Sequence, residues 1–254
     1  MPWVLLVLLI VLLATASAVG LAALVRRRWG ERRSIRGTDD VEGIYVVVIG
    51  TLYGILVAFM IFVVWTDYSD AQRLVDREAD ALGDVYRLAG GLPQPYRDQV
   101  RGLSVEYARA VADSEWANMA RGQTDPRVSD IVARMWQAFN ALGPEEAADD
   151  VLRDHLLTSF AELTDLRRSR LLESETELPT VLYVVLIIGG ILTVGFAIVF
   201  NTEHFESHAI KAGALAALVS LMLVTVWSLD HPFRGSVRIP PDAFDRVLSI
   251  VEER

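Results

Sequence analysis

The chain has 254 residues, is 52% hydrophobic and 22% charged, and has a mean hydropathy of +0.33. Its net charge of -9 argues against a nucleic-acid partner, whose phosphates recruit basic surfaces. It has no cysteine, which excludes disulfides, thiolate metal sites and a cysteine nucleophile.

So apolar an average with an ordinary charge load means that the two are segregated along the chain. The first apolar run covers residues 4–25. Ala16-Ser17-Ala18 resembles a signal-peptidase site, but only Pro2 and Trp3 precede the run, so a basic leader is lacking. The run therefore reads as an uncleaved anchor. Arg26, Arg27, Arg28, Arg32, Arg33 and Arg36 follow it, and a short arginine-rich loop prefers the cytoplasmic side. That places the N-terminus outside and the loop inside. Lys211 is the only lysine, a bias toward arginine that points to a GC-rich bacterial genome and hence to a bacterial inner membrane.

The second apolar run, residues 44–65, is about 22 residues, enough to cross a bilayer. It passes into Thr66-Asp67-Tyr68-Ser69-Asp70 with no glycine or proline at the join. Beyond the join, Ala71, Leu74, Val75, Ala79, Leu82, Val85, Tyr86 and Ala89 keep the three-four spacing of an amphipathic helix. The pattern predicts one rod leaving the membrane for a water-exposed domain. A breaker follows at residues 90–95, then a helix over 96–120. Asp125 and Pro126 read as the N-cap and first position of a further helix carrying Val128, Ile131, Val132, Met135, Trp136 and Phe139. Gly143-Pro144 ends it, and residues 145–177 hold the last helix. Pro179 opens a third span over residues 178–200, and a fourth covers 209–229. The link 201–208 lies inside. Beyond the fourth span, 235–241 reads as a turn and 242–252 as a short surface helix with Phe244, Val247, Leu248 and Val251.

The expected fold class is an all-α membrane protein. Four transmembrane helices carry a soluble helical bundle inserted between the second and third. The segments are 1–65, two spans with a basic cytoplasmic loop; 66–177, the bundle, outside; 178–229, two spans; and 230–254, a tail.

The spans hold almost no ionisable side chain, which counts against an ion-coupled transporter. Small residues at Gly50, Gly54, Ala58, Gly189, Gly190 and Gly195 fit close helix–helix approach. One face of the second span, with Thr51, Tyr53, Phe59 and Phe62, is a candidate lining for an apolar constriction in an oligomeric pore. In the bundle, Glu115 is placed to pair with Arg167, Arg168 or Arg170. The pairing reads either as an ion pair fixing helix register or as part of a charged ring, with Glu78 and Asp230 as further candidates. Acids exceed bases there, so a vestibule would favour cations. His204 and His208, four apart with Glu203 and Glu206 nearby, are weak metal candidates in what reads as a solvated turn. Asp230-His231 sets an acid beside a base, but no Gly-x-Ser-x-Gly, phosphate loop or His-Glu-x-x-His occurs, and neither an enzyme nor a cofactor is indicated.

Several motifs, in order, resemble the bestrophin-like DUF4239 family. They are Asp39-Asp40-Val41-Glu42-Gly43, then Gly50-Thr51-Leu52-Tyr53-Gly54 through Phe59, Val64-Trp65, Arg77-Glu78-Ala79, and Tyr86-Arg87-Leu88-Ala89. Glu115-Trp116, Arg167-Arg168-Ser169-Arg170-Leu171 before Leu178-Pro179, and Leu229-Asp230-His231-Pro232-Phe233-Arg234-Gly235 complete the series. Asp39 or Asp40 stands where the family often has Asn, and His231 where it often has Arg. The resemblance implies a homo-oligomer in the lipid bilayer, a pentamer by analogy, passing small ions through an apolar neck on the second span. Bestrophins keep their large domain in the cytoplasm, opposite to the arginine-loop reading. The competing reading is a non-conducting sensor or scaffold that acts through its bundle.

Overall fold

The computed structural model describes residues 2–29, 39–141, 150–199, 205–235 and 237–252. Among them there are helices and no strands. In chain order these are α1 (Pro2–Trp29), α2 (Asp39–Leu88), α3 (Tyr96–Ala110), α4 (Trp116–Met119), α5 (Pro126–Ala141), α6 (Asp150–Glu175), α7 (Thr180–Val199), α8 (Phe205–Leu229) and α9 (Asp242–Glu252). They divide into two compact units. One is Met1–Asp67 with Glu177–Asp230; the other is Tyr68–Thr176 with His231–Arg254. α2 runs unbroken for 50 residues and supplies both, as the join without glycine or proline predicts.

The first unit holds four helices long and apolar enough to cross a membrane: Val4–Val25, the start of Gly43–Gly91, Thr180–Val199 and His208–Leu229. Its tightest seam is α1 on α8. Ala18 and Ala22 face Ala212 and Ala216, with Ile198 of α7 completing the cluster. Only side chains this small let helix backbones approach closely where lipid leaves no hydrophobic drive for helix association. At the other end of the unit, Asp230 accepts the Leu178 backbone N–H at 3.0 Å and the Tyr183 hydroxyl at 2.6 Å. One carboxylate thus ties the end of α8 to the chain just ahead of α7.

The second unit is built on the apolar stripe of α2. Val75, Leu82 and Val85 are fully buried against Val100 and Tyr107 of α3, Ile131 and Met135 of α5, and Leu156 and Phe160 of α6. Phe160 lies between Trp136 and Phe139, with ring centroids 4.8 Å from each. Asp125 caps α5 by accepting the Arg127 N–H at 2.9 Å, and Pro126 takes the first helical position, where its missing N–H costs nothing.

Two expectations change. The spacing places 242–252 on the surface, yet Ala243 and Phe244 of α9 are core residues, joined by Phe233 and Ile239 from the preceding segment. An amphipathic pattern says that one face is buried but not by what, and here the partners lie in α3 and in the turn after it. The fourth span, His208–Leu229, agrees with the reading, but its helix α8 starts at Phe205, so His208 is helical rather than in a solvated link.

Candidate functional site

The candidate residues fall into three places. The first is α2 within the membrane-type unit. At about 100° per residue, Phe59 lies about 80° and Phe62 about 20° from Thr51, whereas Tyr53 lies about 200° away. The structure divides the set accordingly. Thr51, Phe59 (62%) and Phe62 (67%) are exposed on one face. Tyr53 (7%) is turned inward on the opposite face, in line with Val57, Met60 and Val64.

Tyr53 packs where α7 is bare. A Cβ on Gly189 would sit 2.8 Å from Tyr53 Cδ2. One on Gly190 would sit 2.9 Å from Tyr53 Oη and 2.9 Å from Val219 Cγ1. These two glycines make room for the phenol. Gly50, Gly54 and Gly195, grouped with them on sequence, have nothing within 4 Å among the described residues.

The second place is a buried ionic network in the bundle. Glu78 of α2, Glu115 and Arg170 of α6 are all 0% exposed. Arg170 donates from Nε to Glu78 Oε2 at 2.5 Å and from Nη2 to Glu78 Oε1 at 2.9 Å, a bidentate fork. The same Nη2 donates to Glu115 Oε2 at 2.7 Å. Arg167 donates from Nη2 to Glu115 Oε1 at 2.5 Å. The Tyr107 hydroxyl donates to Glu78 Oε1 at 2.7 Å. The guanidinium of Arg170 stacks 5.1 Å from the Trp116 ring and 6.0 Å from that of Phe244. Two carboxylates and two guanidiniums balance, which is what makes burying Glu78, Glu115 and Arg170 tolerable, with Arg167 at the partly exposed edge. Arg168, the third cation weighed on sequence, is exposed and pairs with Asp165.

A local irregularity aims Glu115. It ends a single π turn, Val111–Glu115, between α3 and α4. Tyr107 and Glu115 are eight residues apart, which an ordinary helix would set about 80° apart. One extra residue absorbed in a turn takes out about 100°, so the phenol and the carboxylate come to one face. Burial, then the Glu78 carboxylate, raise the Tyr107 phenol well above its ordinary pKa, so it stays a donor. Burial alone would lower Arg170; the carboxylates of Glu78 and then Glu115 outweigh it and hold the guanidinium above its ordinary pKa. Both carboxylates are fully buried within this unit. Sequence reading missed the Glu78–Arg170 fork and Tyr107. Arginine at a core position of the α6 stripe, four and seven residues from Leu166 and Leu163, was the available signal.

The third place is the metal candidate. His204 lies outside the described residues. His208 Nε2 is 3.2 Å from Ile198 O. A carbonyl only accepts, so this nitrogen carries the proton and cannot ligate through it. Among the described residues no group of three or more His, Asp or Glu side chains is placed to hold a metal.

Comparison with known proteins joins these features. No curated protein matches the sequence. Crystal structures of a bacterial bestrophin homologue from Klebsiella pneumoniae are similar. One has a TM-score of 0.76 at 12% identity, covering 96% of this chain and 99% of that one. A second has 0.75 at 13%, covering 95% and 97%. A point variant of the same homologue has 0.77 at 13%, covering 98% of each. Identities this low speak to the fold. The family model described as a Bestrophin-like domain matches residues 12–244, from within α1 to Phe244 in α9, and the chain therefore belongs to the bestrophin-like family of membrane proteins.

Proposed function

We propose that this chain is a passive ion channel that works as a homo-oligomer, with the exposed face of α2 forming an apolar neck. The observation that carries it is that face. Thr51, Phe59 and Phe62 are exposed on the one span that continues into the bundle, and no ionisable group interrupts them. A ring of such side chains, one set per subunit, gates by dewetting and needs no charge. Family analogy makes the assembly a pentamer, and the excess of acids over bases in residues 66–177 favours cations.

The test is ion flux from liposomes carrying the purified oligomer. Phe59→Ala with Phe62→Ala widens and wets the neck and is expected to raise flux several-fold over the parent. A parent leak equal to that of empty vesicles ends the channel reading. It would leave the scaffold reading, which has its own feature: a groove of about 540 Å³ between α5 and α6, lined by Val132, Trp136, Thr164, Arg168 and Leu171. Selective passage of chloride over potassium would overturn the cation preference alone.

The orientation belongs to the same proposal: arginine loop inside, bundle outside. The chain lacks cysteine, so single-cysteine variants report without background. Gln123→Cys, exposed after α4, is expected to react with an impermeant maleimide on intact cells. Ser34→Cys in the arginine loop is expected to react only after permeabilisation. The reverse pattern would give the bundle the cytoplasmic placement known for bestrophins.

A further inference from the structure

The segment after the last span has more buried surface than a tail needs. Phe233, Ile239, Ala243 and Phe244 are all core residues of the second unit. The Ile239 carbonyl accepts the Trp116 indole N–H at 2.9 Å. Phe233 and Phe244 meet the Trp116 ring at 5.8 Å and 6.0 Å, edge-on. Phe244 also lies 6.4 Å from the Tyr107 ring, ring centre to ring centre. Trp116, Tyr107 and Phe244 are thus the aromatic wall beside Arg170, and the C-terminal segment supplies one of the three. Without it, Arg170, Glu78 and Glu115 have water in place of Phe244, and charges that lose their dry enclosure lose most of their mutual attraction.

The order of the chain gives this a consequence. The rest of the unit is complete by Thr176, but its closing piece follows α7 and α8. We infer that residues 231–235 and 237–252 are a late-closing clasp: the buried network stays open to water until the α7–α8 hairpin has been inserted and the clasp docks. Both pieces share one core, so they lie on one side of the membrane, and α7 and α8 must cross as a pair. A chain in which only one of them inserts carries the clasp to the wrong side and leaves the bundle unsealed.

The test compares hydrogen exchange in membranes for four proteins. They are the full chain, the chain stopped after Asp230, full-length Phe244→Ala, and full-length Arg246→Ala. The last removes only the exposed pair between Arg246 and Asp76, 2.9 Å apart, and serves as the control. Peptides over Leu166 to Arg170 are expected to exchange at least tenfold faster in the stopped chain and in Phe244→Ala. Trypsin is expected to cut after Arg170 in both. Arg246→Ala should match the parent. Peptides around Ala18 and Ala216 in the first unit should keep their protection throughout, which separates an unsealed bundle from a misfolded protein. Parent-like protection of Arg170 in the stopped chain overturns the inference. Should that chain lose protection everywhere, Phe244→Ala decides, and parent-like exchange there overturns it equally.

Discussion

Replacing Arg170 with Met is expected to destabilise the bundle by roughly 3–5 kcal/mol, the cost of removing one partner from a buried ion pair. Methionine keeps an unbranched apolar stem and no charge but is shorter than arginine, so the loss includes some packing where the guanidinium lay, and the double variant below separates the charge from it. Glu115 keeps Arg167. Glu78 keeps only the Tyr107 hydroxyl among the hydrogen bonds described, and its charge is left without a cation in a site that water does not reach. The double variant Arg170→Met with Glu78→Gln removes that charge and is expected to recover more than half of the loss. Denaturant midpoints at neutral pH, followed by hydrogen exchange of α6 peptides, measure both. An Arg170→Met midpoint equal to the parent would mean that the network is hydrated in the membrane-bound protein. The double variant also addresses why the network exists. Apolar residues often replace a buried pair at no cost in stability, so retaining four charges points to register: the fork holds α2 and α6 at one relative height. A double variant that is stable but shows two sets of exchange rates for α6 would support that role.

Much of this arrangement was legible in the sequence, for reasons that can be stated. The four candidate spans follow from hydropathy, because a helix that crosses a bilayer must be long and apolar. The continuity of α2 follows from the absence of a breaker between Trp65 and Asp70. The start of α5 follows from Asp125 and Pro126, since capping is local chemistry. What stayed hidden depends on contacts distant in sequence. Glu78 and Arg170 are separated by 92 positions, and no spacing rule links them. α9 announces a buried face through Phe244, Val247 and Leu248 but not the Trp116 and Tyr107 that receive it. The π turn leaves no signature in Val111-Ala112-Asp113-Ser114-Glu115, yet it decides where Glu115 points. Among the pore candidates, helix arithmetic sets Tyr53 on the opposite face of α2 from Phe59 and Phe62, as their burial shows. Of the arginine-rich loop over residues 26–43, residues 30–38 lie outside the described residues.

Gly190→Ala is expected to destabilise the membrane-type unit by about 1–3 kcal/mol, the usual cost of overpacking. The new methyl would lie 2.9 Å from both Tyr53 Oη and Val219 Cγ1, each closer than real Cβ atoms tolerate. Neither neighbour is a loose end. Both are buried, Tyr53 at 7% and Val219 at 7% exposure. Lipid offers no hydrophobic drive to hold the helices together, so an overlap that pushes α7 off its neighbours loses van der Waals contact with nothing to offset it. The contacts name their own cure. Tyr53→Phe removes Oη, which has no hydrogen-bond partner among the described residues, and Val219→Ala removes Cγ1. The third nearest atom is Tyr53 Cζ at 3.5 Å, an ordinary contact. The triple variant Gly190→Ala, Tyr53→Phe, Val219→Ala is therefore expected to unfold closer to the parent than Gly190→Ala alone. Gly54→Ala and Gly195→Ala, which meet nothing within 4 Å, should be near neutral in a single subunit. Thermal unfolding in detergent ranks all four. Equal losses at Gly54, Gly190 and Gly195 would mean that backbone character, not space for Tyr53, sets the cost. A large loss at Gly54 with none in the detergent-separated monomer would place a second subunit against that part of α2, as the proposed channel requires.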